Sequence, residues 1–339
     1  MSSTLATYLT AIGCFIGGLV GCEIVRRIAL ARSLLDAPNE RSLHSVPTPR
    51  LGGVAIVGSV LIASTATWSL SSWEIKALAG IGGVVALVGL RDDLKPMSAS
   101  VRIVLQIAAA VGFLWGVGVP PLLVTGSFAL PLPKLVTGAL LVVWIVGLLN
   151  IYNFMDGMDG LAGTQTVSAG AAFAMLSTGG ASSFAAGLAA AAGGFLVHNA
   201  PPARLFMGDA GSTFIGMSFA ALGVLGMHHG LPITVSALAL SPFLLDGTFT
   251  IVRRARRGER VWQAHRTHLY QRAVQTGLGH RDVLIVYTLW MAVALGVAAA
   301  SVLGAAAIAI GWAVTLAALA LVWRWVVSRE AQPKPDPSG

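Results

Sequence analysis

A series of long apolar runs dominates this 339-residue chain and constrains its fold more than any other feature. A transmembrane helix needs about 20 consecutive apolar residues, and most runs here approach that length. The runs are rich in Leu, Val, Ala and Gly, which favours helices over barrel strands. The chain is 55% hydrophobic and only 11% charged, whereas soluble domains are about 25% charged. We therefore predict an all-α, polytopic integral membrane protein with about 11 transmembrane helices, at residues 4–30, 51–71, 74–90, 101–119, 135–153, 161–178, 183–199, 213–230, 231–252, 282–304 and 305–327.

The basic residues are distributed unevenly about these predicted spans. When the loop after the first span is placed in the cytoplasm, all of the 22 Lys and Arg residues except Lys76 and Lys134 fall on that side. Cytoplasmic loops of membrane proteins carry such an excess. The net charge of +8 is therefore a topology signal and not a sign of nucleic acid binding. It predicts a periplasmic N-terminus and a cytoplasmic C-terminus for a single domain over 1–339, with a disordered Pro-rich tail over 330–339.

Five predicted cytoplasmic loops contain most of the polar residues of unusual type. Transporters normally place such residues near the bilayer midplane, on broken helices of paired repeats. Here few polar residues fall within the spans and no convincing repeat is present. Function is therefore predicted at one face of the membrane, with a transporter or a membrane scaffold as the alternative of a different class. The loops are residues 36–53, 89–100, 150–164, 198–213 and 253–272.

Aspartates lie at or just beyond the cytoplasmic ends of three predicted spans. Carboxylates that converge on one site repel each other unless a cation lies between them. Mg²⁺ prefers oxygen ligands and is usually held by one or two carboxylates together with substrate phosphates. The pattern therefore predicts a magnesium site. The aspartates are Asp92, Asp93, Asp156, Asp159 and Asp209.

The third loop, NIYNFMDGMDGLAGT, places polar side chains at helical intervals. Asp156 and Asp159 are three residues apart, so they share one face if the segment is helical. Asn150 and Asn153 add amide groups at the same interval, and Gly157 and Gly160 allow a ligand to approach the backbone closely. A helix end with a glycine cap is the simpler alternative. Such a cap, however, does not require two acids and two amides in register.

The fourth and fifth loops supply groups suited to a nucleotide. In FMGDAGS, small residues precede a predicted helix N-terminus, which is a favourable place for phosphate. Phe206 is predicted either to pack in the core or to stack on a nucleobase. The five arginines of RRARRGER are predicted to bind anionic lipid. We interpret the histidines of HRTHLYQR as phosphate contacts or proton carriers. The basic candidates are Arg41, His44 and Arg50 in the first loop and His265, Arg266 and His268 in the fifth.

The DD pair at 92–93, NFMDGMDGL, FMGDAGS and HRTHLYQ together resemble the motifs of the prenyl-phosphate sugar-1-phosphate transferases. The resemblance covers roughly residues 36–281. It implies that the phosphate of undecaprenyl phosphate attacks the β-phosphorus of a UDP-sugar, that UMP leaves, and that a lipid-linked pyrophosphoryl sugar forms. It also implies Mg²⁺, with Mn²⁺ as a substitute, and a location in the bacterial inner membrane. The expected partners are the UDP-sugar, undecaprenyl phosphate and the lipid bilayer, with a homodimer left open.

The resemblance also implies roles for individual residues. Asp92, the first acid of the pair, is implied to act as a base toward the lipid phosphate, although attack through an aspartyl intermediate is a competing mechanism. The implied catalytic residues are Asp92, Asp93 and His268, and the implied metal ligands are Asp209 and Asp156. The residue types and the resemblance together predict substrate contacts from Asn153, Asp156, Asp159, Asn199, Phe206, Arg41, His44, Arg50, His265 and Arg266.

One departure from the family pattern concerns the fifth loop. The peptidoglycan translocase of this family carries consecutive histidines, whereas here His268 is followed by Leu269, Tyr270 and Gln271. This favours the branch that initiates O-antigen and other surface polysaccharides from UDP-N-acetyl sugars. Transfer of phospho-MurNAc-pentapeptide is the alternative within the family. Asp246, near the inner end of its span, is predicted to support the site from behind.

Overall fold

The computed structural model describes residues 3–38, 43–66, 72–121, 123–125, 128–260 and 265–332, which form an all-helical bundle with two short hairpins. Arg41 and most of the tail over 330–339 lie outside the described residues. The helices are α1 (Ser3–Ala31), α2 (Gly52–Ala66), α3 (Trp73–Leu94), α4 (Ala99–Val117), α5 (Lys134–Met155), α6 (Leu161–Leu176), α7 (Gly179–Asn199), α8 (Asp209–His228), α9 (Ile233–Ala239), α10 (Ser241–Arg256), α11 (Leu269–Gln275), α12 (His280–Ala300) and α13 (Ala305–Glu330). The antiparallel hairpins pair β1 (Leu35–Asp36) with β2 (Thr48–Pro49) and β3 (Leu123–Thr125) with β4 (Phe128–Leu130).

The prediction of an all-α, multi-pass membrane protein is confirmed, but the count of spans is not. Within the described chain, eight helices are long and apolar enough to cross a membrane, or nine if α9 and α10 form one bent span. The predicted spans 51–71 and 161–178 correspond to α2 and α6, which have 15 and 16 described residues. Both are shorter than the roughly 20 residues that cross a bilayer, and α2 is followed directly by residues outside the description.

The predicted span 231–252 is broken in two. Helices α9 and α10 meet at an angle of 90°, with Leu240 as the residue between them. Pro242 lies in the first turn of α10, where its lack of an N–H is tolerated but where it cannot extend a preceding helix. The break directs α10 toward the end of the bundle that carries the polar loops.

Helix α8 runs through the centre of the bundle. In its most apolar stretch 94% of the residues are buried, against 17% for α1 and 22% for α4. Helix α2 approaches it where Gly53 meets Gly211, and α3 approaches at Gly89, where an added Cβ would overlap the backbone of Asp209. Because α8 begins at Asp209, this packing fixes the position of that carboxylate.

Helices α1 and α7 are held together through glycines. A Cβ on Gly18 would overlap the carbonyl oxygen of Ala191, and a Cβ on Gly194 would overlap the backbone of Phe15. Small residues at helix contacts in membranes allow backbones to approach closely. Nε2 of His198, near the end of α7, also lies 3.2 Å from the carbonyl oxygen of Leu19. Helix α1 is thereby joined to the segment that leads into the fourth loop.

This packing predicts different effects for two glycine substitutions in α1. Gly18→Ala should destabilise the fold by about 1–3 kcal/mol, because overpacking forces the backbones apart. Gly13→Ala is the matched control, since a Cβ there has no atom within 4 Å and alanine favours a helix. The measurement is the thermal unfolding temperature of both purified variants in one detergent. Equal temperatures would contradict the close contact between α1 and α7.

Candidate active site

A cavity of about 700 Å³ opens where the five polar loops meet, and we call it the polar cavity. Each loop contributes at least one side chain to its wall, as does His280 at the start of α12. Of the candidate residues from the sequence, the polar cavity is lined by His44, Arg50, Asp93, Asn153, Asp156, Asp159, Asn199, Phe206 and Asp209. Asp92, His265, Arg266 and His268 are absent from its described lining.

Asp93, in the last turn of α3, caps the N-terminus of α8. Its Oδ1 accepts a hydrogen bond from the backbone N–H of Asp209 at 2.9 Å, and its Oδ2 accepts one from Ala210 at 3.0 Å. The first N–H groups of a helix have no partner within the helix, and a carboxylate there also interacts favourably with the helix dipole. Gly208 adopts a positive φ of 78°, which brings the backbone onto this carboxylate. Asp93 therefore orients α8.

Arg102, in the first turn of α4, connects two of the acids. Its Nη1 lies 2.8 Å from Oδ2 of Asp92 and 3.7 Å from Oδ2 of Asp209. The other oxygen of Asp92 accepts a hydrogen bond from the backbone N–H of Met97. From the sequence, Arg102 counted only among the basic residues that predict the topology. It could have been identified from its position, because the loop between α3 and α4 is short and the first turn of α4 must therefore lie close to the acidic pair.

Asp156 ends α5 and projects its carboxylate toward the polar cavity. Burial raises its pKa well above the usual range, and repulsion from the carboxylates of Asp209 and Asp93 raises it further. Among the described residues, no hydrogen-bond donor to this carboxylate offsets the repulsion. Asp156 is thus the acid of this site whose charge is least compensated by the protein. A positively charged ligand would stabilise its ionised form.

Asn199 joins the third and fourth loops. Its Oδ1 accepts a hydrogen bond from the N–H of Gly160 at 2.9 Å, and its Nδ2 donates to the carbonyl oxygen of Leu205 at 2.9 Å. Beside it, Oδ2 of Asp159 accepts from the N–H of Ala203 at 2.9 Å. Both the oxygen and the nitrogen of the Asn199 amide are thus engaged with backbone groups. The amide therefore shapes the cavity wall between these loops.

Phe206 lies at the edge of the cavity beside the first loop. Its ring centroid is 4.8 Å from that of His44, in an edge-to-face arrangement. The backbone N–H of Phe206 donates to the carbonyl oxygen of Pro49, and its own carbonyl oxygen accepts from Gly52, both at 2.8 Å. These bonds also satisfy the first N–H group of α2. Arg50, in the same segment, faces the cavity, so that basic and aromatic groups share this part of the wall.

The histidines of the fifth loop lie behind the cavity wall. His268 is 1% exposed, and its Nδ1 lies 3.5 Å from Oδ1 of Asp246. Burial, together with the nearby His268 and Arg254, lowers the pKa of His265 to about 4. His265 is therefore neutral near pH 7. Arg266 is exposed and its carbonyl oxygen accepts a hydrogen bond from Gln275.

Asp246 holds the fifth loop in place. Its carboxylate is fully buried and accepts hydrogen bonds from the N–H of Leu269 at 2.9 Å and the hydroxyl of Tyr287 at 2.6 Å. The next residue in α11, Tyr270, donates its own hydroxyl to the carbonyl oxygen of Phe154 in the third loop. This chain of contacts links α10, α11 and α12 to the third loop. Its position agrees with the supporting role predicted for Asp246.

A second cavity, of about 320 Å³, lies between α3, α4 and α5, and we call it the apolar cavity. Its walls are mainly aliphatic, and several of these side chains, among them Val84 and Ile103, are also exposed on the outer surface of the bundle. Its polar end is formed by Asp92 and Arg102. Asn153 and Asp209 line both cavities. The two cavities therefore meet at these residues.

The acidic groups fit a magnesium ion that takes part of its coordination from a substrate. Within the described ranges, no three His, Cys, Asp or Glu side chains form a metal-binding group. Asp156 and Asp209 supply two carboxylates that face the polar cavity, and burial together with repulsion from Asp209 raises the pKa of Asp156. Mg²⁺ in proteins is commonly bound by one or two carboxylates together with phosphates and water. Binding by two acids plus a diphosphate matches this donor set.

Comparison with known proteins gives consistent matches. The sequence profile of "Glycosyl transferase family 4" matches residues 75–227. A probable undecaprenyl-phosphate N-acetylglucosaminyl 1-phosphate transferase of Bacillus subtilis is 30% identical over 286 residues, which cover 79% of this chain and 78% of that protein. The chain belongs to glycosyl transferase family 4.

Two further relatives of this family 4 member come from other bacterial groups. The decaprenyl-phosphate N-acetylglucosaminephosphotransferase of Mycobacterium tuberculosis is 32% identical over 318 residues, covering 82% of this chain and 78% of that protein. The undecaprenyl-phosphate alpha-N-acetylglucosaminyl 1-phosphate transferase of Salmonella typhi is 28% identical, over 81% of this chain and 78% of its own length. The residues that the family 4 profile matches include all five candidate acids, whereas His44, Arg50 and His280 lie outside the matched range.

The raised pKa of Asp156 predicts how this family 4 protein's stability depends on pH. Asp156 ionises at a higher pH in the folded state than in the unfolded chain, so its contribution to the stability of the wild type falls as pH rises above about 4. Asp156→Asn removes this loss. In EDTA, its unfolding temperature should exceed that of the wild type at about pH 8 and approach it at about pH 4. Asp156→Glu keeps the charge and should behave like the wild type. A difference in unfolding temperature between Asp156→Asn and the wild type that is the same at both pH values would contradict the prediction.

Proposed function

We propose that the protein transfers a sugar 1-phosphate of the N-acetylhexosamine type from a UDP-sugar to undecaprenyl phosphate, with release of UMP. The observation that carries this proposal is the meeting of a polar and an apolar cavity at Asn153 and Asp209. A transferase with one water-soluble and one lipid substrate needs such a pair of adjoining sites. The names of the related proteins, which act on undecaprenyl or decaprenyl phosphate, support the same reaction class.

The polar cavity suits the sugar nucleotide. Its volume of about 700 Å³ is within the range of small-molecule sites. Phe206 and His44 offer ring surfaces for a nucleobase, and Arg50 offers positive charge to a diphosphate. The carboxylates of Asp156 and Asp209 lie in the same cavity. They would repel the diphosphate in the absence of a cation, which supports an Mg²⁺-dependent reaction.

The apolar cavity suits the first part of the prenyl chain. Its aliphatic walls reach the outer surface of the bundle, so that a lipid can enter sideways from the bilayer. At the polar end of this cavity, Arg102 carries the positive charge that a prenyl phosphate requires. In the free protein this guanidinium is neutralised by Asp92 and Asp209. A lipid phosphate at this end would meet the diphosphate of the nucleotide near Asp209 and Asn153.

The reaction then proceeds by direct displacement. An oxygen of the lipid phosphate attacks the β-phosphorus of the UDP-sugar, the bond from that phosphorus to the bridging oxygen breaks, and UMP leaves with the bond electrons. Phosphoryl transfer depends mainly on positioning and charge neutralisation, which Arg102, Arg50 and Asn153 can supply. When bound by Asp156 and Asp209, Mg²⁺ would neutralise the charge that develops on the leaving phosphate.

The hydrogen bonds of the acidic pair favour this direct route. Both oxygens of Asp93 accept backbone N–H groups of α8, and both oxygens of Asp92 accept hydrogen bonds, from Met97 and Arg102. A carboxylate acting as base or as nucleophile would have to give up such contacts. The lipid phosphate also needs little activation, because its second pKa is about 6. We therefore assign the pair to positioning α8 and Arg102.

The distribution of charge supports a location in the bacterial inner membrane with the polar cavity on the cytoplasmic face. The loops that line it carry most of the arginines, as expected for the cytoplasmic side. UDP-sugars are also supplied from the cytoplasm. Transfer of phospho-MurNAc-pentapeptide is the alternative within the family, and the single His268 before Leu269, Tyr270 and Gln271 favours N-acetylhexosamine donors. The concentration of polar groups at one end of the bundle argues against a transporter.

The proposal is tested by measuring UMP release from purified protein, undecaprenyl phosphate, Mg²⁺ and a panel of UDP-sugars. We expect UMP with at least one UDP-N-acetylhexosamine, and a loss of about 100-fold or more in kcat for Asp209→Asn. Asp282→Asn, which changes an exposed acid of α12, is the matched control and should retain the wild-type rate. The absence of UMP with every donor, or full activity of Asp209→Asn, would refute the proposal.

A further inference from the structure

His280, the first residue of α12, joins two loops at the polar cavity. Its Nδ1 lies 3.2 Å from Oδ1 of Asp159, and its ring also forms a hydrogen bond with the backbone of Leu43. The imidazole is 17% exposed and lines the cavity. The first loop, the third loop and α12 are distant from one another in the sequence. One side chain therefore fixes their relative position at the cavity wall.

Asp159, the partner of His280, has a contact at each of its carboxylate oxygens. Oδ2 of Asp159 accepts the N–H of Ala203 at 2.9 Å, and Oδ1 faces His280. Each carboxylate oxygen can accept a further hydrogen bond, and Asp159 lines the cavity. An ionised carboxylate only accepts hydrogen bonds. A ligand group that forms a hydrogen bond with Asp159 must therefore be an N–H or O–H donor.

The surroundings of this acceptor suit a nucleoside. Leu43, which bonds to His280, is followed by His44, and the ring of His44 lies 4.8 Å from that of Phe206. Aromatic surfaces and a fixed acceptor thus occur in one part of the wall. A uracil base presents a ring N–H at its pairing edge, whereas cytosine presents a bare ring nitrogen there and places its donor on the neighbouring amino group. A carboxylate held opposite the ring N–H therefore favours uracil over cytosine.

We propose that His280 is a positioning residue for nucleotide recognition. It orients Asp159 so that the carboxylate accepts a hydrogen bond from the nucleoside of the sugar donor. This inference rests on the proposed function, because it takes the UDP-sugar to occupy the polar cavity. His280 acts on the binding of the donor and leaves the transfer step unchanged.

Two substitutions of His280 separate its two contacts. The amide nitrogen of His280→Asn can replace Nδ1 and preserve the contact with Asp159, whereas the longer side chain of His280→Gln reproduces the position of Nε2. His280→Leu removes both contacts. His229→Gln is the matched control, since His229 is exposed and follows the opposite end of α8 from Asp209. The readouts are KM and kcat with a UDP-sugar, and equilibrium binding of UDP and CDP.

We expect His280→Leu to raise the KM for the UDP-sugar and the Kd for UDP about tenfold, because this is the effect of losing a hydrogen bond to a charged group. The kcat of this variant should stay within about twofold of the wild-type value. The preference for UDP over CDP should fall, and His280→Asn should restore most of the affinity while His280→Gln does not. Unchanged UDP affinity in an active His280→Leu variant would overturn the inference, and so would a fall in kcat alone. A wild-type protein that releases no UMP but binds UDP in this manner would refute the proposed function and leave the positioning role intact.

Discussion

The bond between Asp93 and the N-terminus of α8 is the contact on which the arrangement of the site depends. One carboxylate accepts two backbone N–H groups of a helix that comes from a distant part of the chain. It thereby fixes where α8 begins and how Asp209 projects. Close contacts at glycines, among them Gly89 against the backbone of Asp209, hold the neighbouring helices against the same end. The position of the carboxylate that serves both cavities follows from these contacts.

The acids of the site have different physical environments although their sequence settings are similar. Asp92 and Asp93 are compensated by an arginine and by backbone N–H groups. Asp159 is compensated by a backbone N–H and by His280. Burial raises the pKa of Asp156, the carboxylates of Asp209 and Asp93 raise it further, and among the described residues no hydrogen-bond donor offsets this repulsion. The charge available to a cation therefore lies chiefly at Asp156 and Asp209, beside the junction of the cavities.

Much of this arrangement could be predicted from the sequence. The apolar runs predicted a membrane protein, and the distribution of arginine predicted that the polar loops lie on one side of the membrane. Both properties depend only on composition and on the order of segments along the chain. The spacing of Asp156 and Asp159 suggested a shared helical face, yet their settings differ. Asp159 contacts Ala203 and His280, whereas Asp156 has no hydrogen-bond donor among the described residues. Here α5 ends at Met155 and Gly160 has a φ of 75°, so the segment is not a continuous helix.

Other features depend on contacts between distant segments and leave no local signal. Arg102 and His280 face the acids only because α4 and α12 return to the same end of the bundle. His268 carries the recognisable motif but is buried behind the wall against Asp246, and Gln271 faces the cavity in its place. The motif thus indicated a loop that reaches the polar cavity, whereas the packing of α11 determines that Gln271 is the side chain that lines it.

In the proposed reaction, the lipid phosphate reaches the nucleotide through the apolar cavity between α3, α4 and α5. This route can be mapped by photo-crosslinking with a prenyl phosphate that carries a diazirine in its first isoprene unit, followed by peptide mapping. We expect labelling of residues that line this cavity, such as Ile103 and Ala109, and competition by unlabelled undecaprenyl phosphate. Competed labelling confined to the bent segment of α9 and α10, with none on α3, α4 or α5, would contradict it.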